Sequence, residues 1–231
     1  MTTRKFGRGS PARSQRGFTL VEIAVVLLIV GLLLGGVLKG AELVASARVS
    51  NLAQSVNGYQ AAVLGFQDRY RMQPGDSNTA ATMVGNGAVN CATSCGNGTI
   101  NPWANTSLVN NHLSAAGFYK GPSLNVETNA APTPVGYQTN SNGGAMFVAF
   151  WNQFSVTGGG VSAVNRNAVY TGGNLSSKLL AEFDRKTDDG NALSGSVRSA
   201  WPGSGVNVCW DAAGAWREDA PAESCAAASL Y

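Results

Sequence analysis

Charge is scarce in this chain: 13% of its 231 residues are charged, about half of the ~25% usual in globular proteins. So low a charge content sets aside disorder driven by self-repulsion. Histidine occurs once, at His112, and no serine or cysteine stands in a recognisable nucleophile motif, so the sequence reads as that of a non-enzyme. His112 itself falls in an expected helix, as a surface or packing residue. Proline is missing from Phe18 until Pro74, which leaves room for one long helix. Acid is missing before Glu22, whereas Arg4, Lys5, Arg8, Arg13 and Arg16 crowd the leader. Beyond that leader acids slightly outnumber bases, so the folded part has no clustered positive charge and nucleic acid is not an expected partner. What abounds is glycine, at 29 positions, and the body reads as loop-rich and extracytoplasmic. The length suits one membrane or fibrous element plus one domain of ordinary size.

From Phe18 to Val37 the chain is apolar apart from Thr19, one acid, Glu22, and glycines. Twenty helical residues span roughly 30 Å, the thickness of a bilayer core. The basic leader then belongs in the cytoplasm and everything after Val37 on the far side. A secretory signal has a similar layout, and Ala45-Ser46-Ala47 offers it a small-residue cleavage site, but this run is longer than the usual h-region of ~7–15 residues. A generic single-span anchor leaves Glu22 without a purpose, at a cost of a few kcal/mol.

Gly17-Phe18-Thr19-Leu20-Val21-Glu22, after a short basic leader and before an unbroken apolar helix, resembles the processing site of type IV pilins and of the pseudopilins of type II secretion. The resemblance implies a leader, residues 1–17, cleaved between Gly17 and Phe18 by a prepilin peptidase, and N-methylation of Phe18. The apolar helix would survive cleavage. A carboxylate in hydrocarbon needs a partner, and cleavage creates a new amine at Phe18. As in pilins, Glu22 would pair with the Phe18 amine of a neighbouring subunit and set the register of helices in a filament; pairing within one chain is the other geometry. The partners so implied are other pilin or pseudopilin subunits, the peptidase, an inner-membrane assembly platform and the membrane lipid.

The helical pattern continues past the apolar run. Val49, Leu52, Val56, Tyr59, Val63, Phe66 and Tyr70 form one apolar stripe, expected to pack beneath a sheet rather than in a coiled coil, because its flanks are Ser, Asn, Gln and Ala instead of opposed charges. A helix over 18–72 would be roughly 80 Å long, more than a small domain can bury, so it should protrude. Gly31, Gly35, Gly36 and Gly40 weaken its middle. Pro74-Gly75 ends it, and residues 73–231 form the head. There Ser77–Asn101 reads as a surface loop, Thr106–Ala116 and Ser176–Lys186 as helices, and Ala145–Trp151, Ala168–Thr171, Val206–Trp210 and Val135–Thr139 as strands. The expected class is α+β: a long N-terminal helix, transmembrane over 18–37, on a small antiparallel sheet.

Four cysteines allow three pairings, and an oxidising compartment permits them. The sequential pairing, Cys91 with Cys95 and Cys209 with Cys225, rearranges the chain least, and the second loop resembles the C-terminal disulfide loop of many type IV pilins. Zinc is disfavoured by the spacing. Asp184, Asp188 and Asp189, before Gly190 and Asn191, offer oxygen at short spacing, and some pseudopilins bind calcium; yet the pattern is not an EF-hand loop, Arg185 and Lys186 can neutralise it, and a helix end with a turn is the preferred account. No other cofactor is expected. Trp103, Trp151, Trp201, Trp210 and Trp216 read as core packing ahead of a carbohydrate or partner groove. The whole indicates a filament subunit, minor or specialised because its head is large, held in the inner membrane with a periplasmic head and then extracted into a filament. The competing reading is a membrane-tethered periplasmic enzyme or ligand-binding protein.

Overall fold

The computed structural model describes residues 17, 19–128, 130–158, 160–200, 208–219 and 221–231. The basic leader up to Arg16, Phe18, Trp201 and the start of the expected strand at Val206 lie outside the described residues. The chain divides into two units, Met1–Val44 and Ala45–Tyr231. In the first, every described residue is exposed, Leu20, Leu32 and Leu38 among them.

Helix α1 runs from Leu20 to Tyr70 and is apolar and long enough to cross a membrane. Within the second unit the stripe does what its spacing requires: Val49, Leu52, Val56, Tyr59, Val63 and Phe66 are buried, with Ala62 beside them, while Tyr70 is only partly covered. The helix stops two residues earlier than its pattern suggests, because Arg71 already has a left-handed φ of 54°.

The sheet is antiparallel, with five strands in the order β1-β2-β5-β7-β6: β1 (Gln138–Thr139), β2 (Ala145–Trp151), β5 (Arg166–Tyr170), β7 (Ala227–Leu230) and β6 (Val197–Ser199). A separate hairpin joins β3 (Ser155–Val156) to β4 (Gly160–Val161). Side chains alternate across a strand, so Met146 and Val148 of β2 and Val169 of β5 join the α1 stripe, together with Val197 and Ala227. Val109 and Leu113 of α3 (Thr106–Ala115) and Leu180 and Phe183 of α4 (Ser177–Thr187) fill the same core. The opposite face forms a second cluster around Phe147, Ala149, Ala168, Tyr170 and Ala228. At its edge Gly172 has a φ of 74°, and a Cβ there would stand 2.5 Å from the carbonyl oxygen of Ala145. Only glycine permits so close an approach of two backbones.

Several local expectations need correction. Val208–Trp210 is a turn leading into a single bridge from Trp210 to Trp216 rather than a strand; the chain reverses at Gly214, φ 89°, before a ladder can form. Of Val135–Thr139 only Gln138–Thr139 pairs, because Gly136 turns the chain at φ 80°. Strand β5 begins two residues before Ala168 and ends before Thr171. The segment Ser77–Asn101 contains a short helix, α2 (Ala80–Met83), and buries Ser77, Ala80, Ala88, Cys91 and Ile100, so it is not a surface loop throughout. Disulfides join Cys91 to Cys95 and Cys209 to Cys225.

The stripe generates a contrast on one helix. Phe66 is fully buried and Leu64 is 51% exposed. Phe66→Ala should lower unfolding stability by about 3–5 kcal/mol, as large-to-small core changes do, and Leu64→Ala should stay within about 0.5 kcal/mol; denaturant titration of the two variants measures the difference.

Candidate functional site

The processing and assembly residues sit at the start of α1. Gly17 is exposed and precedes the helix. Thr19 occupies the position before the first helical residue. Its backbone N–H donates to Oε2 of Glu22 at 2.9 Å, its hydroxyl donates to the same oxygen at 2.9 Å, and the Glu22 N–H returns a bond to Thr19 Oγ1 at 3.3 Å. This is a capping box, in which a threonine and a glutamate three residues apart satisfy each other's helix-end amides. Glu22 therefore has work within its own chain: its carboxylate closes the N-terminus of an otherwise apolar helix and favours the positive end of the helix dipole. Both bonds to the carboxylate go to Oε2, and Oε1 accepts neither of them. The sequence reading does not single out Thr19, although the Thr-x-x-Glu spacing ahead of an apolar run is the signal that finds it.

The calcium candidates converge at the end of α4. Ligand oxygens of Asp184, Asp188 and Asp189 lie within 4.8 Å of one another. Each already receives hydrogen bonds from the protein. Asp184 accepts from the Trp216 indole N–H at 2.8 Å and from the Gly190 N–H at 3.3 Å. Asp188 Oδ2 accepts from the backbone N–H groups of Ser196 and Val197, and Asp189 accepts from the Asn191 N–H and the Ser194 hydroxyl. Such oxygens are of the type a hard cation takes, and here they shape the turn that leads into β6. The cations expected to neutralise them are engaged elsewhere: Arg185 forms a two-pronged pair with Glu218, and Lys186 donates to Ser50 Oγ at 2.7 Å. Asp184 is buried, and this raises its pKa to about 6, against the smaller opposing effect of the Trp216 hydrogen bond.

The tryptophans divide. Trp210 and Trp216 are core residues, whereas Trp103 is 43% exposed. Trp103 meets Trp151 edge-on at 5.7 Å, and both line a cavity of about 130 Å³ with Phe147, Pro102, Pro132 and Gly173. Among the described residues no charged side chain lines it.

Helix α3 is the feature least visible in sequence. Its polar side chains are buried and almost all bind backbone. Asn105, its N-cap residue, donates to the Gly75 carbonyl; Thr106 donates to the Val148 carbonyl at 2.7 Å; Asn111 binds Val89 N–H and the Gly87 carbonyl. His112 lies wholly buried among them.

Asp184 gives this region a pH signature. Its folded pKa lies above the ordinary value of 3.8, so the folded state holds the proton more tightly and this group's contribution to stability falls as pH rises from about 4 through about 6. Asp184→Asn keeps an acceptor for Trp216 and removes the acid. Thermal unfolding across that window should show the variant gaining stability relative to the parent as pH rises; a constant difference would mean that the carboxyl does not titrate there.

Residues 12–38 match the family model of the prokaryotic N-terminal methylation motif. No curated protein and no solved structure matches the chain. The segment that holds Gly17, Thr19 and Glu22 thus carries the signature of type IV pilins and pseudopilins, on a helix that continues into an α+β head.

Proposed function

We propose that this chain is a structural subunit of a type IV pilus or a type II secretion pseudopilus, cleaved between Gly17 and Phe18 and assembled through α1. The observation that carries the reading is the methylation motif at residues 12–38 placed on an exposed apolar helix whose one acid over its first eighteen residues is Glu22. Before cleavage the leader supplies cations on the cytoplasmic side and the helix holds the chain in the inner membrane, with the head in the periplasm. Cleavage leaves an amine on Phe18. Glu22 keeps one oxygen on its own Thr19 and presents the other to the Phe18 amine of a neighbouring copy, so the carboxylate caps one helix and docks the next. Each such contact is heterologous, and a chain of them grows open-ended. The prepilin peptidase and an inner-membrane assembly platform are the partners this scheme requires, and the size of the head favours a minor or specialised subunit. Within this scheme the protein performs no catalysis of its own.

Mass spectrometry of the mature N-terminus tests the reading. A chain that begins at N-methylated Phe18 is the expected result, and one that begins at Arg48, after the small residues 45–47, overturns it. Glu22→Ala should leave a processed protein that enters filaments at least about tenfold less efficiently, the loss of roughly 1.4 kcal/mol of docking free energy. A membrane-tethered binding protein or enzyme would keep its function through the same change.

A further inference from the structure

The single histidine of the chain is placed where its protonation state controls a backbone attachment. His112 Nδ1 accepts the Gly75 N–H at 2.8 Å, and Nε2 stands 2.7 Å from the Val89 carbonyl oxygen. An amide N–H can only donate and a carbonyl can only accept. The ring is therefore neutral, with its proton on Nε2. A second proton would have to sit on Nδ1, pointed at the hydrogen of Gly75, and that attachment cannot survive it. The backbone at Gly75 lies close against α3: a Cβ built on it would be 2.5 Å from the Asn105 carbonyl oxygen.

We propose that His112 is an acid-sensitive latch: while neutral it fastens Gly75 onto α3, and its protonation loosens the segment from Gly75 to Gly98, which then opens more often while the sheet and α1 stay folded. The device belongs to the head alone and does not depend on filament assembly.

The segment's other attachments to α3 do not titrate with the ring, so protonation removes the Gly75 fastening and makes local opening of the segment more frequent without unfolding the head. Asn105 and Asn111 hold it through neutral amides, to Gly75 and Thr93 carbonyls and to Gly87 and Val89. The Cys91–Cys95 disulfide lies inside the segment and does not tie it to the sheet. The other titratable groups around the ring are all engaged away from it or exposed. From the segment itself Asp76 accepts the Asn97 and Gly98 N–H groups; from the following loop Glu127 accepts the Ala92 and Thr93 N–H groups; from α1 Tyr59 donates to Asn110, and Asp68 and Arg69 are exposed, as is Arg71 just past its end. Phe66 stacks on the imidazole at 6.1 Å and contributes no charge. No carboxylate stands against the ring among the described residues to stabilise an imidazolium. Burial accordingly lowers its pKa, opposed in part by the Val89 carbonyl. With the folded value below the ordinary 6.5, the attachment is intact above that value and weakens as pH falls below it, because the released state binds the proton first.

Amide hydrogen exchange of the full chain in detergent micelles, compared at about pH 8 and about pH 5 as protection factors, tests this. Protection across 75–98 should fall by up to about tenfold for the first unit by which the histidine pKa is depressed below 6.5, and by no more than about thirtyfold in all at about pH 5, while β2 and β5 keep theirs. His112→Gln, which does not titrate, should show no such fall. The latch is overturned if 75–98 keeps its protection in acid, if the whole head loses protection together, or if His112→Gln still responds in full, which would assign the effect to Asp76 or Glu127. Should His112→Gln fail to fold, ring nitrogen shifts of the parent decide: a neutral ring protonated on Nε2 at about pH 8, charging in step with the loss of protection, supports the latch, and a ring already charged there overturns it.

Discussion

Irregular chain leaves its amides and carbonyls without the partners that helices and sheets supply, and each one buried unpaired costs about 1–3 kcal/mol. This constraint organises the protein. Its sheet has short strands and long connections, so side chains complete what the ladders do not. Asp76 takes two amides of the loop that follows α1, Asp188 takes two at the start of β6, and Asn105, Asn111 and His112 turn α3 into a polar bolt through two loops. Glu22 obeys the same rule at the other end of α1, where its carboxylate answers the amide of Thr19. The acids of this charge-poor chain act largely as hydrogen-bond acceptors for backbone, and surface ion pairs contribute little.

A glutamate in an apolar helix invites an explanation through a partner's cation. The capping box shows that the residue has an internal role as well, and the two are compatible because a carboxylate offers two oxygens. The acidic turn beyond α4 is read similarly: three aspartates close together look like a cation site in sequence, and their first occupants are the amides, hydroxyl and indole of their own surroundings.

Legibility in the sequence followed periodicity. The α1 stripe, β2, α3 and α4 are long enough for their patterns to stand out, and their ends lie within two residues of expectation. Strand β7, Ala227–Leu230, is an interior strand of the sheet yet nearly all alanine and serine, without the β-branched residues that mark a strand. Its small side chains suit a position covered on both faces. Strands β3 and β4 are two residues each and carry no pattern at all. At the site, the motif gave Gly17, Phe18 and Glu22 together, since their spacing is local. The role of α3 was hidden because its partners are main-chain atoms of loops far away in sequence, and main chain has no letter.

Strand β7 reaches the sheet from a distance: it pairs with β5, whose Tyr170 faces Ala228, and helix α4 and strand β6 intervene in the chain. Cys225 stands two residues before it, cross-linked to Cys209 and bridged to Leu175 just beyond β5. Oxidation thus shortens the search by which this interior strand finds its neighbours, since closing a loop beforehand removes part of the entropy that pairing must overcome. Maturation of the head is thereby tied to the thiol-oxidising capacity of the compartment that receives it, and a cell short of that capacity would accumulate subunits whose sheets stand open between β5 and β6.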